Sequence, residues 1–403
     1  ETDTNLGWTT EKGETELEYS AGDTVKITKA TQFYAVRRKS NYYTVSYYLG
    51  NGSTNAAYQK LTQTVEEGTV VTFAKVPART GYVNQGWSSK KNSEKATAKA
   101  KCTVNKNITL YAVQKKAVQL TFHRCDGSTW QKTTLAKGSS YSLPGVRDAE
   151  GYTFMGWSTK PMQSVSPQYE AEEKITVNGN VDLYAVVFNR TTETDLTEDQ
   201  LPQVDIYKYK QVIFVGDSRT EFMENVLTGM GESVTKNVKF VCSAGKGLDW
   251  FTTTGWAQLY SIVQHDSNSI LSKKTAVIFN FGVNDLSKSA DYAEYYNWIA
   301  PQLKSKGCEL YFMSVNPVNR LMLPNAGRAD RSEAAVRSFN QYMKANLSSA
   351  YTYIDMYSYL KSTGYSFASD HYGTGTVDDG LHYTTRTYKR IFAKCMDSLR
   401  VPA

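Results

Sequence analysis

The chain has 403 residues, of which 40% are hydrophobic and 21% are charged, and its formal net charge is +7. Basic and acidic residues are interleaved without a basic stripe, which argues against a nucleic-acid partner, and no apolar run reaches the roughly 18 residues needed to span a bilayer. Five scattered cysteines without CxxC spacing argue against a disulfide framework and a zinc site, and the length predicts two or more domains.

A pattern that ends in Tyr-Ala-Val recurs through the first half of the chain. Two full copies occupy residues 41–115 and 117–188, and each contains Gly-Tyr, then Gly-Trp, then a closing Leu-Tyr-Ala-Val. Residues 1–38 contain only the second half of the pattern, so we expect the native protein to extend further toward its N-terminus. Alternating Val, Thr, Tyr and Leu between glycine-rich turns predict short antiparallel strands, and we interpret the tryptophans as core anchors in preference to ligand-stacking surfaces.

These modules resemble the B-type repeats of internalin-like bacterial surface proteins, on the motifs G-Y-x-x-x-G-W and L-Y-A-V. The resemblance covers residues 1–188 and implies a small β-grasp fold that serves as a stalk or adhesive spacer. It also implies a secreted or cell-surface bacterial protein, and it makes a cell-wall or host-surface polymer the expected partner of the repeats.

Residues 189–206 are polar and acidic and contain proline, which predicts a linker. Over residues 207–403 short apolar runs alternate with longer amphipathic ones, which predicts strand–helix–strand units and a parallel sheet covered on both faces. The predicted strands are 212–215, 238–242, 276–281, 309–314 and 352–354. Apolar stripes at helical spacing predict helices over 292–303, 335–347 and 388–399.

Polar or small residues follow three of these strands, at the edge where the carboxyl ends of parallel strands meet. Ser218 lies in Gly-Asp-Ser-Arg at a strand-to-helix turn, where the helix N-terminus favours a developing oxyanion. Gly245 and Gly247 follow the second strand, and glycine lets a backbone N–H approach a substrate closely. Asn284 follows the third strand, and its amide can donate to a negative oxygen. Taken singly, each residue also fits an ordinary turn or helix cap.

Asp379 and His382 lie just before the last predicted helix. A nucleophilic serine needs an imidazole to accept its proton, and that imidazole needs a carboxylate at its other nitrogen. Since the chain has four histidines, one that falls three residues after an aspartate at this place is informative. One loop thus supplies both groups that Ser218 would need.

Gly-Asp-Ser, a Gly after the second strand, Gly-x-Asn-Asp and Asp-x-x-His, in this order, resemble the four blocks of SGNH (GDSL-like) hydrolases. The resemblance spans residues 208–401 and implies an α/β fold, a three-layer α/β/α flavodoxin-like domain. The family's catalytic roles then carry over by position: Ser218 as nucleophile and first oxyanion donor, Gly247 (with Gly245 as the alternative) as second donor, Asn284 as third donor, His382 as base and Asp379 as the group that orients it.

Two features depart from the family pattern. Arg219 follows the serine where the motif has leucine, and the asparagine that often precedes the glycine of the second block is missing. Arg219 either clamps a carboxylate or hydroxyls of the substrate or forms a structural ion pair. There is no Gly-x-Ser-x-Gly elbow, which argues against the α/β-hydrolase fold.

The expected activity is a serine esterase that removes a small acyl group, acetate above all, from a carbohydrate or other cell-surface polymer. The substrate follows by association, because surface repeats place the enzyme near glycans. Acyl transfer by serine, histidine and an oxyanion hole requires neither cofactor nor metal.

Two alternatives stay open: a surface adhesin or glycan-binding protein with an inactive SGNH fold, and an O-acyltransferase. A lipase is less favoured because no long apolar lid is evident, although residues 321–324 could form one.

Overall fold

The computed structural model describes residues 2–205, 208–265, 274–323, 330–368 and 378–399. The chain divides into two compact units. The first contains residues 1–119, 134–139 and 177–179, and the second contains residues 120–133, 140–176 and 180–403. The second unit therefore holds most of the repeat at 117–188, here called the last repeat, together with the α/β region.

Short strands and one short helix build the first unit. They are β1 (Thr2–Thr9), β2 (Tyr34–Ser40), β3 (Tyr42–Tyr48), α1 (Ala56–Gln59), β4 (Gln63–Glu66), β5 (Thr69–Thr72), β6 (Tyr82–Ser88), β7 (Lys101–Val104) and β8 (Ile108–His123), which continues into the second unit. β3 pairs antiparallel with β4 and parallel with β8, and β6 pairs antiparallel with β8. Trp87 is buried, with its ring 4.8 Å from that of Tyr47 and its indole N–H donating to the carbonyl of Ala74 at 2.6 Å. This tryptophan is a core anchor, as predicted.

The last repeat has a similar succession of strands, without a counterpart of α1 in its described residues. Its further strands are β9 (Thr129–Ala136), β10 (Ser139–Ser142), β11 (Tyr152–Ser158), β12 (Lys174–Val177) and β13 (Val181–Asn189). β13 pairs parallel with β8 and antiparallel with β11. Trp157 is fully buried and donates to the carbonyl of Pro144 at 2.8 Å. The β-grasp assignment of the repeats stays a prediction.

The α/β region contains a parallel sheet of five strands in the order β15-β14-β16-β17-β18. Its strands are β14 (Tyr209–Gly216), β15 (Val238–Cys242), β16 (Lys274–Asn280), β17 (Cys308–Met313) and β18 (Tyr351–Ile354). The five predicted strands are confirmed, and their ends differ from the predicted ones by three residues or fewer. A separate pair, β19 (Phe367–Ala368) and β20 (His382–Tyr383), is antiparallel.

The three-layer arrangement stays a prediction, and the described residues of this region also form helices. They are α2 (Ser218–Thr228), α3 (Glu232–Thr235), α4 (Leu248–Trp250), α5 (Trp256–His265), α6 (Ser289–Ser305), α7 (Glu333–Asn346), α8 (Met356–Thr363) and α9 (Thr385–Ser398). Val212 and Phe214 of β14 lie in an apolar cluster with residues of α2 and α9, whereas Ile213 and Val215 lie in a cluster with residues of α6 and α7. Burial of alternate side chains on opposite sides explains the continuous hydrophobic run of this strand. None of the helices in the described ranges is both long and apolar enough to cross a membrane.

The segment predicted as a linker, residues 189–206, is packed over the part that the structure describes. Leu201 and Val204 are buried in the cluster that contains α2 and α9. Glu193 is also buried, and its carboxylate accepts from Arg390 at 3.0 Å. The segment is therefore anchored at these three buried residues, while most of its other described residues are exposed, and its role as a linker stays a prediction.

Candidate active site

Ser218 lies at the junction between β14 and α2. Asp217 is the N-cap of α2, and its carboxylate accepts from the backbone N–H of Arg219 at 3.0 Å. A Cβ on Gly216 would lie 1.9 Å from the hydroxyl oxygen of Thr220, so only glycine fits between strand and helix. The local sequence thus places the Ser218 hydroxyl at a helix N-terminus, where the helix dipole favours negative charge.

The structure brings Ser218, His382 and Asp379 together, although 164 residues separate the serine from the histidine. The Ser218 Oγ lies 2.9 Å from His382 Nε2, and His382 Nδ1 lies 2.6 Å from an oxygen of Asp379. Because an ionised carboxylate can only accept, Nδ1 carries the proton and Nε2 is left to accept from the serine hydroxyl. The other Asp379 oxygen accepts from the backbone N–H groups of Leu381 and His382, both at 2.8 Å, which fixes the carboxylate.

Asn284 follows β16 on one side of Ser218, since β16 neighbours β14 in the sheet. Its Nδ2 donates to the carbonyl of Lys246 at 2.7 Å, and its Oδ1 accepts from the guanidinium of Arg331. The arginine bond fixes which end of the amide is oxygen and which is nitrogen. An amide nitrogen carries two hydrogens, so the bond to Lys246 leaves a second donor for another acceptor.

The two candidate glycines follow β15, on the other side of β14. A Cβ on Gly247 would lie 2.3 Å from a carboxylate oxygen of Asp285, whereas a Cβ on Gly245 would meet nothing within 4 Å. The same Asp285 oxygen accepts from the backbone N–H of Leu248 at 2.9 Å, so the loops after β15 and β16 are joined. Gly247 lies in this joined stretch, while Gly245 has a φ of +70° in an open turn. The choice of oxyanion donor between them stays a prediction, with Gly247 preferred.

Arg219 does not face a substrate. Only 2% of its surface is exposed, and its guanidinium donates at 2.8 to 3.0 Å to three backbone carbonyls, those of Leu381, Asn316 and Pro317. It also lies over the ring of Tyr383, 5.1 Å from the ring centroid. Both roles proposed from the sequence, a substrate clamp and a side-chain ion pair, are therefore wrong. Arg219 instead holds the backbone immediately before His382.

Two charged groups near the site were missed by sequence reasoning. Arg331 is buried and contacts Asn284, 47 residues away in the chain, and no local pattern marks it. Asp378 accepts from the backbone N–H of Gly380 at 2.8 Å and is paired with Arg190. The sequence marks Asp378 only as the first of two consecutive aspartates, because its partner Arg190 is remote in the chain.

Burial raises the pKa of Asp217 to about 6, although the nearby Arg219 guanidinium acts in the opposite direction. Since ionisation is harder in the folded state, this carboxyl lowers stability as the pH rises from about 4 to 6, by about 3 kcal/mol in total.

Asp217→Asn keeps an N-cap oxygen, so we expect a higher free energy of unfolding than wild type at pH 7.5 and little difference at pH 4. Urea denaturation at both pH values measures this, and a pH-independent difference would contradict the assignment.

A hydroxyl, an imidazole and a carboxylate in this geometry can carry out nucleophilic acyl transfer by themselves. Within the described ranges, no three His, Cys, Asp or Glu side chains are grouped so as to hold a metal ion.

Two family models match the chain. Residues 43–113 and 119–186 match the Listeria-Bacteroides repeat domain, and residues 212–395 match the GDSL-like Lipase/Acylhydrolase family. The chain thus carries two repeats of a type typical of surface proteins and one GDSL-like acylhydrolase domain, here called the hydrolase domain. The internalin B-type assignment of the repeats stays a prediction.

Individual relatives are distant. A protein of Evansella cellulosilytica, named as a Gly-rich membrane protein, is 27% identical over 184 residues, which is 45% of this chain and 20% of that protein. This chain therefore spans about one fifth of the relative's length. A structure assigned as an SGNH hydrolase from Slackia heliotrinireducens is 14% identical with a TM-score of 0.35, covering 48% of this chain and 100% of its own. An acetyl xylan esterase is 11% identical with a TM-score of 0.33, covering 47% of this chain and 100% of its own. Because both TM-scores are below 0.5, the domain assignment rests on the family match.

Proposed function

We propose that the chain is a serine esterase that removes small acyl groups, O-acetyl groups above all, from a carbohydrate or another cell-surface polymer. One observation carries this proposal: the Ser218 hydroxyl, His382 and Asp379 form a continuous hydrogen-bonded series with distances of 2.9 and 2.6 Å. The series lies within the segment that matches the acylhydrolase family. A serine whose proton has an oriented imidazole acceptor is an activated nucleophile.

The first step forms an acyl-enzyme. As the Ser218 Oγ attacks the ester carbonyl, His382 Nε2 takes the serine proton, and Asp379 stabilises the imidazolium that results. His382 then gives this proton to the departing alcohol oxygen, and the bond between that oxygen and the carbonyl carbon breaks. The backbone N–H of Ser218, that of Gly247 and the Nδ2 of Asn284 are the donors for the negative oxygen of the intermediate.

The second step releases the acid. His382 takes a proton from a water molecule, whose oxygen attacks the carbonyl carbon of the acyl-enzyme. The proton then returns to the Ser218 Oγ as the ester bond to the enzyme breaks. In an O-acyltransferase, a sugar hydroxyl would take the place of this water.

The substrate class is inferred from the repeats that precede the hydrolase domain in the same chain. The repeats are of a type typical of surface proteins, and polymers at a bacterial surface carry ester-linked acyl groups on sugar hydroxyls. The exported location and the contact of the repeats with such a polymer are part of the same proposal. No step depends on a cofactor.

The test combines active-site labelling with product analysis. A fluorophosphonate is expected to label the full chain once, on the peptide that contains Ser218, because only an activated serine displaces fluoride from such a reagent. Acetate release from a panel of O-acetylated glycans, with and without an alcohol acceptor, then identifies the substrate and the direction of transfer. Failure of labelling together with failure of acetate release would favour the glycan-binding alternative, and acetate found on the acceptor in preference to water would favour the transferase.

A further inference from the structure

A buried charge cluster joins the last repeat to the loop that carries Asp379 and His382. Arg190 directly follows β13 of the repeat, and its guanidinium is paired with Asp148 of the repeat at 2.8 Å and with Asp378 of the loop. All three side chains are largely buried, with exposures of 17%, 1% and 7%. One arginine therefore links two carboxylates that come from opposite sides of the contact.

A second bridge runs parallel to this one through Asn319. Its Nδ2 donates to Asp148 at 2.8 Å and to the carbonyl of Val146 at 3.0 Å, both in the last repeat. Its backbone N–H donates to the carbonyl of Gly380 at 2.8 Å. Gly380 has a φ of +67°, and a Cβ there would lie 2.2 Å from the carbonyl oxygen of Asn319. The backbone of Gly380 is thus in close contact with Asn319, and the repeat holds Asn319 through Asp148 and Val146.

The held residues are the immediate neighbours of the catalytic pair. Asp378 accepts from the backbone N–H of Gly380 at 2.8 Å, and between these two residues lies Asp379, whose carboxylate orients His382. On the other side, Arg219 donates to the carbonyl of Leu381 at 3.0 Å. The loop is consequently fixed from two directions, by the hydrolase domain through Arg219 and by Arg190, which follows β13 and is paired with Asp148 of the repeat.

We propose that the last repeat positions the acid–base pair of the hydrolase domain: Arg190 and Asp148 hold Asp378 and Gly380, and this fixes Asp379 and His382 against Ser218. The inference rests on the proposed esterase function. It makes the last repeat part of the catalytic unit and not a spacer, and Arg190 a positioning residue.

The charges of the cluster agree with this role. Burial raises the pKa of Asp148 well above its usual value, and the neighbouring Asp378 raises it further. A raised pKa favours the neutral form of Asp148, and this reduces the repulsion between the Asp148 and Asp378 carboxyl groups that share the Arg190 guanidinium. Removing the arginine would leave two carboxyl groups adjacent without a cation, and Asp378 would lose the partner that holds it in place.

The test uses the full chain with Arg190→Ala, Arg190→Lys and a matched control, Arg337→Ala. Arg337 also ties the hydrolase domain to the last repeat, by donating to the carbonyl of Ala171 at 2.9 Å, but it bonds to no residue of the 378–382 loop. For Arg190→Ala we expect kcat for p-nitrophenyl acetate to fall about 10- to 100-fold with KM nearly unchanged, because displacement of a reacting group by about 1 Å costs rate. Arg190→Lys, which keeps a cation with fewer donors, should give an intermediate kcat, and Arg337→Ala should match wild type.

A proton NMR readout separates this inference from the esterase function. The Nδ1 proton of His382, bonded to Asp379, should give a low-field resonance in wild type and in Arg337→Ala that is lost or shifted in Arg190→Ala. If catalysis is absent throughout, the esterase proposal fails, and this resonance still decides the positioning role. A folded Arg190→Ala with wild-type kcat and resonance would overturn the inference, as would an equal loss in Arg337→Ala or a change in KM alone. Should Arg190→Ala fail to fold, Asp378→Asn, which keeps an acceptor for Gly380 but places an amide against Arg190, is judged by the same criteria.

Discussion

Ser218→Ala is expected to lower kcat for p-nitrophenyl acetate by about 10⁴- to 10⁶-fold, because the covalent pathway is lost with its nucleophile. Some hydrolysis above the rate in water should persist, since an oxyanion hole and substrate binding remain. The folded structure should be kept, because alanine is a good helix former and the cap of α2 is the side chain of Asp217. Steady-state kinetics and the disappearance of fluorophosphonate labelling measure the effect together.

A matched control is available in the same domain. Ser362→Ala removes an exposed hydroxyl of α8 that donates to the carbonyl of Tyr359 at 2.8 Å, and it should leave kcat unchanged. Wild-type turnover in Ser218→Ala would mean that another group is the nucleophile. In that case the 2.9 Å contact between Ser218 and His382 would be structural only.

The sheet and the positions of Ser218 and Asn284 after two neighbouring strands could be predicted, because both depend on short stretches of sequence. Residues 212–215 are apolar on both faces, which identifies a strand buried between helix layers. Once parallel strands are recognised, the residues that follow them must gather at one edge. His382 could be predicted as the partner because its aspartate lies three residues earlier, so the pair is local in the chain.

The role of Arg219 could not be predicted, because adjacency in sequence does not place side chains on one face of a helix. Successive residues of an α-helix are rotated by about 100°, so a residue next to the nucleophile can face the interior. The three carbonyls that Arg219 contacts, at residues 316, 317 and 381, come from segments that are remote in the chain. Only the folded backbone brings these acceptors together.

The buried contacts of residues 189–206 and the pairing of Arg190 with Asp378 could not be predicted from the sequence, for a related reason. Composition identifies charged residues but not their partners, and the partners of Glu193 and Arg190 lie 197 and 188 residues away. A charge that pairs at such a distance looks like a solvated one in the sequence. Burial of paired charges is a tertiary property, and these residues carry no periodic pattern that would show it.

Asp379→Asn is expected to lower kcat by about 10⁴-fold while the fold is kept. The amide oxygen can still accept from the backbone N–H groups of Leu381 and His382, but the amide nitrogen then faces His382 Nδ1, which must become an acceptor. The imidazole is thereby driven to carry its proton on Nε2, where it cannot take the proton of Ser218. Kinetics of the purified variant check this, with Asp182→Asn as the control, since Asp182 forms a similar pair with His123 in the last repeat at 2.9 Å.

The double variant Ser218→Ala with Asp379→Asn gives the sharper result. Groups that act as one catalytic unit show strongly non-additive losses. The double variant should therefore be no slower than Ser218→Ala alone, because without the nucleophile the orientation of the imidazole has no covalent step to serve. A further loss comparable to that of Asp379→Asn alone would show that the carboxylate acts independently of Ser218, and the hydrogen-bonded series would then not be the catalytic device.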